Sequence, residues 1–304
     1  MTATREHGSL GNNIKVHFAG AEAYDRFLFA HDAGVNYFLF TVLPFIMDQF
    51  GIKWGQVTTC KDIPAYEKLP EMSKHTIMDS GLFSLMFGAC KDIRPDEGFI
   101  RRYKDAIVNF INSHGLYGFT CVECDCQKLL GTDLAWELRT QFREQLPKNR
   151  IINVLHFEDG KYGLDRMIEF AEYIAISVPE LRIVKPKTYK EDTYRLASYI
   201  KDKKPEIDIH LLGGTELEML KRCKFCTSAD STSWVAVNRF GRILGNHIST
   251  VKAEKFDAIK ERSKQLLESM GVSPTEKLIK YFSNYWISAH LLKIEYEKRA
   301  GSQD

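Results

Sequence analysis

The sequence predicts an α/β fold, a (β/α)8 TIM barrel with extra C-terminal helices. Short β-rich apolar runs alternate with amphipathic stretches, the runs number eight, and two further helical segments follow the last run. A doubly wound open sheet would also alternate strands and helices, but eight strands at this spacing followed by two helices favour a closed barrel. The length of 304 residues lies within the range that one barrel fills as a single unit.

The predicted elements follow one another in regular order along the chain. Strands are expected at Lys15–Ala19, Tyr37–Thr41, His75–Asp79, Gly118–Asp125, Ile151–Phe157, Tyr173–Ser177, Ile207–Leu212 and Lys224–Ser228. Helices are expected at Ala21–Ala33, Asp96–Ser113, Lys128–Leu146, Gly163–Ala171, Lys190–Lys201, Glu216–Arg222, Ala253–Met270 and Pro274–Arg299. We therefore expect one domain over residues 1–304, with a polar segment at 1–13, the barrel at about 14–250 and C-terminal helices at about 252–300.

The composition is that of a globular protein with a large core, since 44% of the residues are hydrophobic and 27% are charged. No segment has the pattern of a signal peptide, and no apolar run approaches the roughly 18 residues of a membrane span, so we expect a cytoplasmic protein without a membrane partner. The seven cysteines are odd in number and spread through core segments, which indicates reduced thiols. The net charge of +2 neither predicts nor excludes nucleic acid.

The last predicted helix carries an apolar stripe that is typical of a packing surface. Its members are Tyr281, Phe282, Tyr285, Trp286, Ile287, Leu291 and Leu292. Such a stripe packs either against the barrel or against a second subunit, so a homodimer stays open.

Polar residues gather where the predicted strands end. In α/β barrels the active site is built at the carboxyl ends of the strands, so polar side chains there carry more weight than elsewhere. The candidates are Asp79, Ser80, Glu123, Asp125, His156, Ser177, Gly213, Gly214 and Asp230. At least three carboxylates would converge on one rim, and such a group is costly unless the acids are paired, ligated or used.

Several of these residues also have a purely structural interpretation. Asp79, Ser80 or Asp230 could cap a helix at a strand-to-helix turn, which is the better explanation for any one of them alone but not for the set. Glu123 and Asp125 are two residues apart, so on a strand both point to one face, and we expect only one of them to touch a ligand. Gly213 and Gly214 would let backbone approach a ligand closely, or simply form a tight turn.

The cysteines raise the question of a metal site. Cys121, Cys124 and Cys126 cluster in sequence, and the Cys223-x2-Cys226 spacing is half of a zinc site. Strand alternation would send Cys121 to the face opposite the other two, and Cys226 would lie inside the eighth strand. We therefore expect no metal and no cofactor.

Three segments carry a resemblance to a known family. Residues 78–84 read Met-Asp-Ser-Gly-Leu-Phe-Ser, residues 210–216 read His-Leu-Leu-Gly-Gly-Thr-Glu, and residues 229–231 read Ala-Asp-Ser. In this order they resemble the Asp-Ser-Gly-Gly-aromatic stretch, the Leu-Met-Gly-Val-Gly-Thr-Pro-Glu turn and the Phe-Asp-Cys segment of the tRNA-guanine transglycosylases. Within that superfamily the chain looks most like the shorter phage and bacterial members that put 7-deazaguanines into DNA. The resemblance spans roughly residues 15–250.

The resemblance implies a mechanism in which Asp230 attacks C1′ of a nucleotide, guanine leaves, and a free 7-deazaguanine base displaces the enzyme. Asp79 would be the general acid and base at the purine. Asp125 would read the base, with Glu123 as the competing candidate. The pocket would be completed by Ser80, Phe83, His156, Ser177, Gly213 and Gly214. Contacts to the displaced strand would come from Trp234, Arg239 and Arg242, with a place in the core as an equal alternative for Trp234.

Departures from the family pattern bear on the substrate. The tRNA enzymes follow the nucleophile with a zinc-holding Cys-x-Cys-x2-Cys that helps to dock tRNA, and no such spacing occurs after Asp230. We therefore expect DNA as the partner, with tRNA as the alternative, and no zinc; if a phage encodes the chain, the host cytoplasm would be its location. His156 stands where the family has a glutamine, and Ile176-Ser177-Val178 where it has Gly-Gly-Leu, which leaves the preferred base open.

Two other classes of function compete with the transglycosylase. A non-catalytic partner subunit could keep the barrel and bind nucleic acid, but it would have no need of Asp79, Asp125 and Asp230 together. A metal-dependent barrel hydrolase usually opens with His-x-His on the first strand, where His17 stands alone.

Overall fold

The computed structural model describes residues 13–52, 64–87, 95–250 and 253–301. Most of the predicted N-terminal polar segment therefore lies outside the described residues. Eight parallel strands close into a barrel in sequence order, with the first strand paired to the last, so the predicted TIM barrel is confirmed. The strands are β1 Lys15–Ala19, β2 Tyr37–Thr41, β3 His75–Asp79, β4 Thr120–Val122, β5 Arg150–Leu155, β6 Tyr173–Ser177, β7 Asp208–Leu212 and β8 Ser228–Ser231.

Helices cover the outside of the barrel, as expected for parallel strands buried on both faces. They are α1 Tyr24–Asp32, α2 Leu43–Ile46, α3 Ala65–Met72, α4 Leu82–Phe87, α5 Glu97–Ser113, α6 Gln127–Leu130, α7 Thr132–Gln145, α8 Gly160–Phe170, α9 Val178–Val184, α10 Tyr189–Lys203, α11 Leu217–Arg222, α12 Val237–Phe240, α13 Ala253–Ser269 and α14 Glu276–Ala300. A small antiparallel pair, β9 Arg242–Ile243 and β10 Asn246–His247, follows α12. None of the described helices is both long and apolar enough to cross a membrane.

The eighth strand lies further along the chain than predicted. A turn in which the Cys226 amide donates to the Cys223 carbonyl (2.8 Å) occupies the segment expected to be strand. The strand is instead the small polar run Ser228–Ser231, which is paired with Lys15–Phe18 of β1. Asp230 consequently lies within the strand and Cys226 lies before it, both contrary to the prediction.

The barrel interior is filled by side chains. Inward-facing residues form a compact apolar group of Ala19, Leu39, Ile77, Val122, Ile152, Val154, Tyr173 and Ala175. Towards the amino ends of the strands, His17 Nε2 is 2.8 Å from His75 Nδ1, and His75 Nε2 is 2.9 Å from Thr120 Oγ1. Burial, and then the neighbouring His75 and His210, hold the pKa of His17 well below its usual value. The barrel is therefore a packed core. A ligand would bind at its mouth, which is the end of the barrel formed by the carboxyl ends of the strands.

The C-terminal helices pack back onto the first helix of the barrel. Phe282 of α14 stacks on Phe29 of α1 with ring centroids 4.7 Å apart. Trp286 donates its indole N–H to Asp32 (2.8 Å), which is also paired with Arg262 of α13. Most of the predicted apolar stripe thus packs against the barrel, while Leu291 stays 37% exposed.

Candidate active site

Asp230 lies in the barrel mouth with one carboxylate oxygen held and the other available. Its Oδ1 accepts hydrogen bonds from the Gly213 amide (2.7 Å) and from His210 Nε2 (3.1 Å). Oδ2 makes no hydrogen bond with any described residue, and the side chain is 12% exposed. The carboxylate is therefore oriented by two donors, with a free oxygen for a ligand or a reacting atom.

A chain of hydrogen bonds through the barrel interior holds the histidine that contacts Asp230. Because a carboxylate only accepts, His210 Nε2 carries the proton directed at Asp230. In the neutral imidazole, Nδ1 then accepts the Ser228 hydroxyl proton (2.5 Å), and Ser228 Oγ accepts from the Tyr173 hydroxyl (2.5 Å). Burial raises the pKa of Tyr173, which keeps this hydroxyl a donor. The chain connects β6, β7 and β8 and fixes the orientation of Asp230.

Gly213 occupies a position that other residues would fit poorly. Its φ is +61°, and a Cβ placed there would lie 2.9 Å from Pro179 Cγ at the start of α9. The glycine thus lets its amide turn towards Asp230, whose carboxylate accepts its hydrogen bond.

Asp79 ends β3 on the same mouth and sits in an environment that favours its protonated form. Burial, and the negative charges of Asp230, Glu22 and Asp125, raise the pKa of Asp79 to about 7 despite a hydrogen bond from the Gly81 amide (3.0 Å). Gly81 has a φ of +76°, and a Cβ there would collide with Leu43. A carboxyl that titrates near neutral pH can both give and take a proton during one catalytic cycle.

Asp125 is paired with a charged histidine. His156 Nε2 lies 2.8 and 3.0 Å from the two oxygens of Asp125, and Nδ1 lies 2.8 Å from Glu180. Burial opposes protonation of His156, but the two carboxylates prevail and raise its pKa to about 10. The pKa of Glu180 is about 2, because hydrogen bonds from His156 and Lys128 outweigh its burial. His156 is therefore an imidazolium bridging two carboxylates.

Glu123 faces the helix layer instead of the mouth, contrary to the expectation that it shares a face with Asp125. The strand ends at Val122, and the Asp125 amide turns back to the Glu123 carbonyl (2.9 Å), which interrupts the alternation of faces. The Glu123 carboxylate accepts from Arg139 (2.7 and 2.8 Å), Asn153 and the Val154 amide. Each Glu123 oxygen already accepts two hydrogen bonds, so Glu123 has none left for a base. Of Glu123 and Asp125, only Asp125 lies at the rim.

The buried ion pair between Arg139 and Glu123 leads to a prediction about stability that does not depend on the function of the protein. Arg139→Met leaves the Glu123 carboxylate buried and unpaired, so we expect the free energy of unfolding to fall by about 3–5 kcal/mol. Chemical denaturation measures it. Arg143→Met is the matched control, because Arg143 lies on the same helix and its partner Glu172 is exposed. The control should lose under about 1 kcal/mol. An equal fall in the free energy of unfolding in the two variants would contradict the conclusion that Arg139 stabilises a buried Glu123 carboxylate.

The remaining predicted pocket residues differ in how they border the mouth. Ser177 ends β6 and lines a cavity together with His156. Ser80 is buried, and its carbonyl accepts the Tyr103 hydroxyl proton (2.6 Å), so it supports the turn after Asp79. Gly214 is buried, whereas Phe83 on α4 is 60% exposed.

The three residues predicted to contact a displaced strand separate into two groups. Trp234 is 1% exposed, donates to the Ala19 carbonyl (2.7 Å) and packs near Tyr285, so it belongs to the core and the prediction for it is wrong. Arg239 and Arg242 are exposed in the segment that follows β8.

The described cysteines, at positions 121, 124, 126, 223 and 226, are buried free thiols. Within residues 13–52, 64–87, 95–250 and 253–301, no group of three or more His, Cys, Asp or Glu side chains is placed to hold a metal ion. Burial raises the pKa of Cys121, Cys124 and Cys126, so these thiols stay protonated in the structure as described.

Comparison with known proteins adds no functional assignment. No protein-family model matches the chain, and no curated protein matches it. Among solved structures, an enolase protein from the environmental genome shotgun sequencing of the Sargasso Sea is similar at 12% identity, with a TM-score of 0.40, over 74% of this chain and 55% of that chain. The chain therefore spans about half of that protein's length. A likeness this distant carries no argument about function.

The mouth brings together three of the predicted acids, Asp79, Asp125 and Asp230, with His156, Ser177 and Gly213. Sequence reasoning missed His210 and Glu180, which contact Asp230 and His156 directly. The signal for His210 was a lone imidazole in the apolar strand before the double glycine. Chemically, the mouth offers an oriented carboxylate beside a carboxyl that exchanges protons near neutral pH.

Proposed function

We propose that the protein is a transglycosylase that exchanges guanine in DNA for a free 7-deazaguanine base through a covalent glycosyl-aspartate intermediate. The observation that carries the proposal is the different environment of two nearby acids. Asp230 has one oxygen held by Gly213 and His210 and one oxygen free, while Asp79 has a pKa of about 7. Such a pair suits a nucleophile and an acid–base group working on one substrate.

In the first step, a free oxygen of Asp230 bonds to C1′ of the target nucleotide while the bond from C1′ to N9 of guanine breaks. Asp79 donates its proton to the departing guanine, which leaves as the neutral base. In the second step, N9 of the incoming 7-deazaguanine bonds to C1′, its N9 proton passes to the Asp79 carboxylate, and Asp230 is released. The acid and base roles of Asp79 thus alternate, which a pKa near the working pH favours.

Asp125 would read the base. Guanine presents two adjacent donors, N1–H and the 2-amino group, which match the two oxygens of one carboxylate. In the free protein the His156 N–H is shared between these oxygens. We expect the base to replace His156 Nε2 as the donor to Asp125. His156 would keep its charge and its hydrogen bond from Nδ1 to Glu180.

DNA is the preferred polymer because the chain lacks the zinc-binding spacing with which the tRNA enzymes dock their substrate. The target nucleotide must leave the stack to reach the mouth, at a cost of about a few kcal/mol. Arg239 and Arg242, exposed after β8, are suitable contacts to the phosphates of the displaced strand.

The test is transfer of labelled guanine by the wild-type protein into guanine-containing DNA and, separately, into tRNA. Label in DNA alone supports the proposal. Label in tRNA alone would replace it by the tRNA-guanine transglycosylase alternative. No label in either polymer, with both bound, would favour a non-catalytic binding subunit.

A further inference from the structure

A deep groove on the outside of the barrel adjoins the candidate active site. It lies between α8 and α10, its floor is formed by Leu155 and Ile176 at the ends of β5 and β6, and its volume is about 530 Å³. Small-molecule sites typically measure about 300–1,000 Å³. His156, Ser177 and Glu180 also border the groove, so an occupant of the groove would lie beside a ligand in the mouth.

The walls of the groove are largely aliphatic, which suits a ligand with apolar faces. The aliphatic side chains that line it are Leu155, Leu164, Ile176, Leu181 and Leu196. Polar groups among the walls already have partners: Glu180 accepts from His156 and Lys128, and the Tyr199 hydroxyl donates to Asp165 (2.6 Å). A ligand would therefore gain chiefly by burying apolar area.

The edge of the groove carries two lysines without an ion partner among the described residues. Of the other charged side chains that line the groove, Arg195 is paired with Glu191, and Asp192 accepts from the Thr188 hydroxyl. Lys161 and Lys185 border the groove, are exposed, and make no ion pair with any described residue. The Lys185 Nζ lies 5.2 Å from the ring centroid of Phe157, which is 45% exposed at the same edge. The Glu180 carboxylate is offset by His156 and Lys128. An anionic group on the ligand would be attracted to this edge.

We propose that the groove binds the base of an unpaired nucleotide next to the target nucleotide, with Lys161 and Lys185 at the adjoining phosphates. A nucleotide combines two features that suit the groove, a base with apolar faces and a phosphate anion. Continuity with His156 and Ser177 indicates a neighbour in the same strand instead of a separate ligand. The inference rests on the proposed function in that the target nucleotide occupies the barrel mouth.

The first experiment measures binding of a short single-stranded oligonucleotide by fluorescence anisotropy. K161Q/K185Q should weaken binding about five- to tenfold and lower the slope of log Kd against log salt by about 1.4, the value for two phosphate contacts to a single strand. K74Q/K148Q is the matched control, because both lysines are exposed and precede strands at the opposite end of the barrel. The control should bind as wild type does; equal effects of the two double variants would overturn the proposal.

The second experiment removes the base. Abasic substitution of one neighbour of the target guanine should weaken wild-type binding several-fold, because it removes the apolar base faces that the aliphatic walls of the groove would bury. Leu196→Trp, which fills the groove, should bind normal and abasic strands equally. If abasic substitution weakens wild-type binding at neither neighbour, the proposal that the groove binds a base is refuted. A concentration-dependent dimer lost on Leu196→Trp would assign the groove to a second copy of the chain and overturn the proposal.

Base exchange on the same oligonucleotide separates this inference from the proposed function. If wild type exchanges the base and K161Q/K185Q binds like the control, only the groove proposal fails. If the groove variants weaken binding as expected but wild type exchanges no base, the transglycosylase proposal fails and the nucleotide site remains.

Discussion

Asp230→Ala is expected to form no covalent adduct with guanine-containing nucleic acid and to lose base exchange by about 10³-fold or more. The reason is that the nucleophilic oxygen disappears, while His210 and Gly213 are left without the group they orient. Denaturing electrophoresis of protein mixed with DNA or tRNA and a 7-deazaguanine base measures the adduct, and the trapped polymer identifies the substrate.

The control for this experiment is Asp133→Ala, which removes an exposed acid from the first turn of α7. It should form the adduct as wild type does. An adduct with Asp230→Ala would move the nucleophile to another acid of the mouth, Asp79 or Asp125. His210→Ala should still form the adduct, only more slowly, because it removes one of the two donors that orient the carboxylate.

Asp79→Asn is expected to slow both half-reactions by about 10²–10⁴-fold, the usual contribution of a general acid or base. In wild type the two half-reactions should have opposite pH dependence about the pKa of Asp79, which is about 7. Adduct formation needs the acid and falls as the pH rises through 7. Adduct breakdown by the incoming base needs the carboxylate and falls as the pH drops through 7. Single-turnover measurements of each half-reaction across this range test the assignment.

Stability provides the control that separates catalysis from structure. The folded pKa of Asp79 lies above the ordinary value of 3.8, so its negative charge destabilises the fold increasingly as the pH rises from 3.8 through 7. Asp79→Asn removes this charge, and we expect the variant to be more stable than wild type above pH 7 and equally stable near pH 4. A variant that loses stability together with activity would instead indicate a structural role.

The barrel could be predicted from sequence because alternation and spacing are local signals. The bounds of β1, β2, β3 and β6 agree with the prediction, and the apolar character of these runs reflects burial on both faces. The eighth strand was misplaced because its residues are small and polar, and two of them, Ser228 and Asp230, point inwards to His210. The apolar residues before it, Phe225 and Cys226, belong to a turn that packs on the core.

The candidate site could be predicted only in part. Position at a strand end brought Asp79, Asp125, His156 and Asp230 into consideration, but partners across strands depend on register, which no local pattern reveals. The contact of His210 with Asp230 joins strands 7 and 8. The same limitation explains Glu123, whose side chain was directed outwards by a single turn after β4.

The packed interior of the barrel, with its apolar layer and the hydrogen bonds from His17 through His75 to Thr120, closes the route from the amino ends of the strands to the mouth. For the proposed reaction, the departing guanine and the incoming base must then both pass through the mouth and bind at the same position on Asp125. Released guanine would have to diffuse away before its replacement enters, which gives ping-pong kinetics in which the two bases compete for one form of the enzyme. By closing the barrel beneath the mouth, the packed interior would in this way make the outcome of each turnover depend on the ratio of the two free bases.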